Sequence, residues 1–178
     1  MSTDADAETT RRILEQRARA AARRPAAPDV TERLDILAFS LAGEQYGVEV
    51  SHVGEVCKLK DLTALPCTPA SIAGVMNLRG RILAVVDLRR LFDLPNRGLT
   101  EFNKVIVLRG ADREFGLMAD SIDGLQSVPV LSLQDGLPTL TGIRERFLKG
   151  VTVRMLAVLD GRKLLGDAAL GVNEQVGE

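Results

Sequence analysis

Few residues of this 178-residue chain are placed to do covalent chemistry. His52 is the only histidine, and no serine, cysteine or carboxylate at a telling spacing pairs with it as nucleophile or orienting group. Cys57 and Cys67 form neither a CxxC pair nor, with one histidine, a zinc ligand set, so no metal is expected. The segment GVMNLRG (74–80) has two glycines but lacks the lysine-serine close and the following helix of a phosphate-binding loop. Asp87 and Asp160 resemble a carboxylate pair, yet each follows an apolar run and precedes a basic pair. That context suits two equivalent caps, accepting hydrogen bonds from the next backbone N–H groups, better than acid–base catalysis. Arg79 is different. It stands in a polar break, Asn77-Leu78-Arg79-Gly80, between two apolar runs, with Arg81 beside it. An arginine at a hairpin tip is either a solvated turn residue or, if held against a carboxylate such as Glu55, a planar donor fork presented to a protein partner.

The elements that must position Arg79 follow from the same stretch. Ile72–Leu78 and Ile82–Val86 are short aliphatic runs bounded by turn signals, the pattern of two buried strands joined in a hairpin. Glycine at position 80 permits the positive φ such a turn requires. The end of this unit then recurs: LAVVDLRRLF (83–92) matches LAVLDGRKLL (156–165), and Phe147–Val153 answers Ile72–Leu78 with Gly150 at the place of Gly74. The front recurs as well, with Tyr46-Gly47 in the first unit and Phe115-Gly116 in the second. The second hairpin is three residues shorter and keeps one arginine, Arg154, so the Arg79 device belongs to one unit alone.

Strands are expected at Leu34–Ala42 and Gln45–Val50, with a turn at Gly43-Glu44, a short turn capped by Ser51, then Val53–Lys60 with Glu55. Leu62–Pro69 is an irregular connection, and 93–99 links two lobes. Asn103–Leu108 and Glu114–Ala119 open the second unit, and Arg162–Ala169 reads as a short terminal helix. Residues 1–33 differ in composition. Glu8–Arg24 is rich in helix formers with a narrow stripe of Ile13, Leu14 and Ala18, ended by Pro25 and Pro28. It reads as a solvated helix and linker, with docking on a partner or on the body as the competing reading. Residues 171–178 form a polar tail.

Composition excludes several classes. A hydrophobic content of 46% allows a substantial core, while no apolar run is long enough to span a bilayer. Net charge is −1 and Trp is absent, so neither a basic face nor a stacking platform for nucleic acid is expected. Two cysteines and no secretory leader pattern suit a cytoplasmic protein. Two tandem units of about 70 residues, each with roughly five short strands, suggest an all-β chain of two small SH3-like barrels. A unit of about that size buries little surface alone, so a shared apolar seam is expected.

The segments AFSLAGEQYGVEVSHVGEV (38–56), LPCTPASIAGVMNLRGRILAVVDLRRLF (65–92) and FLKGVTVRMLAVLDGRKLL (147–165) resemble the CheW family, the coupling proteins of bacterial chemotaxis arrays. The resemblance covers about Leu34 to Leu165 and leaves residues 1–33 outside. It implies two five-stranded SH3-like β-barrel lobes sharing a hydrophobic core (lobe one about 34–95, lobe two about 100–165, within a domain 34–170). It implies no enzymatic activity and no cofactor. It implies a cytoplasmic scaffold at membrane-associated receptor arrays, without membrane insertion. Its partners would be the regulatory domain of a CheA-type histidine kinase and the cytoplasmic hairpin of methyl-accepting chemoreceptors. By resemblance the receptor groove uses Val53, Glu55, Val56, Gly74, Asn77, Leu78 and Arg79, with Val53, Val56 and Leu78 as an apolar patch and Asp120 and Val128 at its border. Gly54 departs from the family, which usually has a larger polar residue there. Competing readings are a CheW-like adaptor of a non-flagellar two-component pathway and a tandem SH3-like nucleic-acid-binding protein.

Overall fold

The computed structural model describes residues 32–95, 104–135 and 142–170. The expectations for the N-terminal helix, most of the inter-lobe link and the C-terminal tail fall outside these residues. Among the described residues there are ten strands: β1 (Arg33–Leu41), β2 (Glu44–Glu49), β3 (Val53–Lys58), β4 (Ile72–Leu78), β5 (Arg81–Val86), β6 (Lys104–Arg109), β7 (Glu114–Ala119), β8 (Ser121–Pro129), β9 (Leu148–Val151) and β10 (Ala157–Leu159). The same described residues include three short α-helices: α1 (Leu88–Leu91), α2 (Ile143–Phe147) and α3 (Gly161–Gly166).

The strands form two five-stranded sheets, with orders β8-β1-β2-β10-β9 and β3-β6-β7-β5-β4. Advancing every strand of one sheet by five places along the chain produces the other, so the sequence repeat is a repeat of topology. The sheets do not, however, follow the halves of the sequence. β1 and β2 pair with strands from the end of the chain, while β3, β4 and β5 pair with β6 and β7. The lobes are therefore interleaved in space rather than residues 34–95 followed by 100–165. The crossing from one sheet to the other is made by the 3-10 turn Val50–His52 after β2, and by Asp120 after β7. The first of these turns begins one residue before Ser51, with Glu49 as its N-cap and no side-chain cap.

Both sheets carry the same irregularity. β3 bulges between Val53 and Glu55, and β8 bulges opposite Ala38 and Phe39. Each sheet is also tied across its edges by one bridge from the segment that follows its first edge strand, Thr63 to Val75 in one and Gln134 to Val151 in the other. The parallel junctions β5·β7 and β10·β2 each lead to an aspartate that caps a helix. Asp87 accepts from the Arg89 N–H, and Asp160 accepts from Arg162 and Lys163. The reading of these two carboxylates as equivalent caps is what the structure shows.

Packing follows from strand alternation, which sends successive side chains to opposite faces. One cluster joins the two sheets: Phe39, Leu41, Tyr46 and Leu159 from the first, and Val86, Ile106, Phe115 and Leu117 from the second. Phe39, Tyr46, Phe92 and Phe147 run through it in sequence, with neighbouring ring centroids about 6 Å apart. Burial, and then the hydrogen bond to Glu44, push the Tyr46 phenol above its ordinary range. The opposite face of each sheet encloses its own smaller cluster: Met76, Leu78, Leu83, Val85, Val105 and Val107 in the second sheet, Ile36, Ala38, Val128, Leu156 and Val158 in the first.

Candidate docking site at the edge of the second sheet

The β4–β5 hairpin is built around a two-residue turn. Arg79 and Gly80 have φ of 52° and 85°, the left-handed pair of a type I′ turn, which suits the twist of adjoining strands. Asn77 fixes the turn by accepting the Gly80 N–H on its side-chain oxygen at 2.7 Å. Sequence reasoning placed the glycine correctly. It did not place Arg79 itself in the left-handed region, where an L-residue costs about 1–2 kcal/mol.

β3 and β4 are the two edges of the second sheet, yet Arg79 Nη2 lies 3.0 Å from Glu55 Oε2. The sheet is thus curled until its edges meet across an ion pair. Glu55 is 22% exposed and Arg79 78% exposed, so the carboxylate anchors the guanidinium while the rest of the donor fork faces solvent. Cys57, two residues on along the same face of β3, is half-buried; burial first, then Glu55, push its thiol up, with Arg79 opposing.

The other expected site residues divide. Val56 is exposed to 40% and stands on the face of β3 away from Glu55. Leu78 is only 7% exposed and belongs to the cluster enclosed by the second sheet, while Val53 packs partly buried against the joint core. The expected apolar patch of Val53, Val56 and Leu78 is therefore not assembled: alternation turns Leu78 inward with Met76, and Val56 is its one well-exposed member. Gly74 is buried, with φ of 152°, and a Cβ there would stand 2.2 Å from the Thr63 carbonyl oxygen. It keeps room for the Thr63–Val75 bridge. Asp120 accepts the Ala42 N–H at 2.8 Å and so holds the β1–β2 turn, whose left-handed residues are Ala42 and Gly43 rather than Gly43-Glu44. Its other carboxylate oxygen is buried with no hydrogen-bond partner. Val128 lies at the far end of β8, beside a groove of about 520 Å³ lined by Gln126, Thr152, Arg154 and Leu156. Seven residues separate Asp120 from Val128, a rise of roughly 25 Å, so the two stand at opposite ends of β8.

The first sheet has no copy of the ion pair. The shared bulge aligns Gly124 with Glu55, and the shorter β9–β10 turn exposes Val153, Arg154 and Met155. Sequence reasoning named Arg81 only as the neighbour of Arg79 and missed Arg109 and Glu114; the three meet at the same end of the second sheet from three strands. Among the described residues no group of three or more His, Cys, Asp or Glu could hold a metal ion, and no helix is long and apolar enough to cross a membrane.

The profile of the CheW-like domain matches residues 35–169. The chain belongs to the CheW family. It is similar to the chemotaxis protein CheW of Treponema pallidum (strain Nichols), 29% identical over 78% of this chain and 86% of that one. It is likewise similar to protein PilI of Pseudomonas aeruginosa, 30% identical over 75% of each. Among solved structures, the scaffolding protein TtCheW from Thermoanaerobacter tengcongensis superposes with a TM-score of 0.64 and 29% identity, over 76% of this chain and 90% of that one. The match spans both sheets, so the interleaved topology and the β4–β5 tip lie inside the CheW-like domain, and the ion pair joins two segments by which the family is recognised.

Proposed function

We propose that this CheW-family chain is a non-catalytic scaffold that couples the cytoplasmic hairpin tips of chemoreceptors to the regulatory domain of a CheA-type histidine kinase, at membrane-associated arrays. The observation that carries the reading is the Glu55–Arg79 pair: one largely buried carboxylate holds a largely exposed guanidinium where the two edges of the second sheet meet. Val56 and Asn77 flank it as exposed surface. A helical hairpin laid on this edge would meet an oriented donor fork and one apolar contact, the elements of helix-in-groove recognition. Glu55 and Arg79 fix orientation; Val56 supplies buried apolar area on binding. Gly74, Leu78 and Val53 act by shaping the edge from beneath.

Co-sedimentation of the full chain with receptor-containing membranes and kinase tests the reading. The expected result is a ternary pellet in which kinase recovery depends on this chain, and Arg79→Glu removes that dependence. Recovery of kinase at the same level without the chain would overturn it. The likeness to PilI favours a second reading, in which the same edge serves a CheW-like adaptor of a non-flagellar two-component pathway. Receptors and kinases from the two kinds of pathway, compared in the one assay, distinguish them.

A further inference from the structure

Arg81, Arg109 and Glu114 form a second ion-paired group beside the first. Glu114 Oε2 lies 2.6 Å from Arg81 Nη1, and Glu114 Oε1 lies 3.2 Å from Arg109 Nη2. Arg109 also lies over Gly54: a Cβ at that glycine would stand 3.5 Å from the Arg109 Cζ. Gly54 is the bulged residue immediately before Glu55, so the second group abuts the first and the two form one strip.

The strip has a surplus of donors. Arg79, Arg81 and Arg109 are 78%, 53% and 52% exposed, whereas Glu55 and Glu114 are close to one-fifth exposed. Each guanidinium carries five N–H donors and no acceptor. The carboxylates occupy only one edge of each guanidinium and lie beneath it. What faces outward is a row of donor forks bearing one net positive charge. Such a row is complemented by carboxylates, with which arginine pairs bidentately.

We propose that Arg81 and Arg109, held in register by Glu114, form an acid-selecting strip that recognises a helical partner segment carrying at least two carboxylates next to the contact made at Arg79. This rests on the docking role proposed above for Arg79 and adds the chemistry of the partner. Gly54 leaves the Arg109 guanidinium room to lie over β3, and a longer side chain there would compete with it for that space.

The test uses the full chain and, as probe, a soluble chemoreceptor cytoplasmic hairpin from the source organism, alongside the same hairpin with its tip Asp and Glu changed to Asn and Gln. Dissociation constants are measured at low and high salt. Arg81→Gln/Arg109→Gln is expected to weaken binding of the native hairpin about tenfold at low salt and to flatten the salt dependence. The same variant is expected to bind the neutralised hairpin as the wild-type chain does. Gly54→Gln, which keeps all three arginines, is expected to shift both readings in the same direction. Wild-type affinity and salt slope in the double variant, with binding lost in Arg79→Glu, would overturn the strip and leave the docking reading standing. Equal weakening toward both hairpins would also overturn it, since the loss would not be carboxylate recognition. Wild-type binding in the double variant and in Arg79→Glu alike would overturn both.

Discussion

Glu55 stands on one edge strand of the second sheet and Arg79 in the turn that follows the other, and their side chains meet at 3.0 Å. Because Arg79 is mostly exposed, the pair is screened and contributes little to stability, about 0–1 kcal/mol. Its backbone, at φ of 52°, works against stability. Arg79→Gly is therefore expected to leave the fold unchanged or firmer, by about 0.5–1 kcal/mol after the entropy of glycine is counted, while receptor binding is lost. Urea unfolding and the co-sedimentation assay, run on the same preparation, check both halves. A large loss of stability would show that the pair is structural.

Gly74→Ala is expected to do the reverse. The new methyl would sit on the Thr63 carbonyl, in a backbone conformation that L-residues avoid, and so break the bridge that ties the sheet's edges. The expected cost is about 2–4 kcal/mol. Its loss of binding should follow the loss of folded protein and return under conditions that restore folding. Weakened binding in a fully folded variant would instead make Gly74 a contact residue.

The two aspartates make a matched pair of predictions. Removing either cap leaves backbone N–H groups at a helix start without an acceptor, at a cost of about 0.5–2 kcal/mol. Asp87→Ala should cost more, since Asp87 is buried and also lies 3.5 Å from both Arg89 and Arg90. Chemical denaturation should show both losses. Kinase coupling at a permissive temperature should show neither.

Much of this was legible because strand alternation and caps are local. Nine of the ten strands lie close to short apolar or alternating runs, and Asp87 and Asp160 announce their helices by position; β8 does not, because its sequence SIDGLQSVP is mostly polar and exposed and carries no such run. The pairing of Arg79 with Glu55 was also within reach, since a tip arginine near a strand carboxylate is a recognisable combination. The interleaving of the sheets was not. A period of two states which face of a strand is apolar, and nothing about which strand lies beside it. β1–β2 could equally have paired with β3 to β5. For the same reason Arg109 and Glu114 carried no signal toward Arg81, which comes from another strand. Leu78, which the resemblance puts in the groove, follows Ile72, Gly74 and Met76 at steps of two, so alternation turns it inward.

Cys57 reports on the ion pair without touching it. Its raised pKa lowers the thiolate fraction near neutral pH, and the thiolate is the reactive form. Iodoacetamide at about pH 8 should therefore modify exposed Cys67 before Cys57. Glu55→Gln removes a cause that raises the pKa, so Cys57 should react faster. Arg79→Gln removes the cause that lowers it, so Cys57 should react slower. If a partner docks on this edge, bound partner should protect Cys57. Mass spectrometry of the alkylated chain reads all three, and a reversed order for the two variants would refute the assignment of causes.

Val56 and Leu78 separate surface from support. Leu78 is enclosed with Met76, Leu83 and Val107, so Leu78→Ala should cost about 2–4 kcal/mol and lower binding only as far as it unfolds the lobe. Val56 stands on an edge strand with 40% of its surface free. Val56→Asp should change stability by under about 1 kcal/mol. It should nonetheless abolish co-sedimentation, because docking would bury an unpaired carboxylate against an apolar helix face. It would also set a negative charge on the strand that carries Glu55, against a segment whose acidic groups the neighbouring arginines are proposed to bind. An acidic substitution should therefore harm binding far more than Val56→Lys, although both introduce a charge at the same position. Equal losses from the two would mean that Val56 acts by burial alone; no loss from either would place the docking surface elsewhere on the sheet.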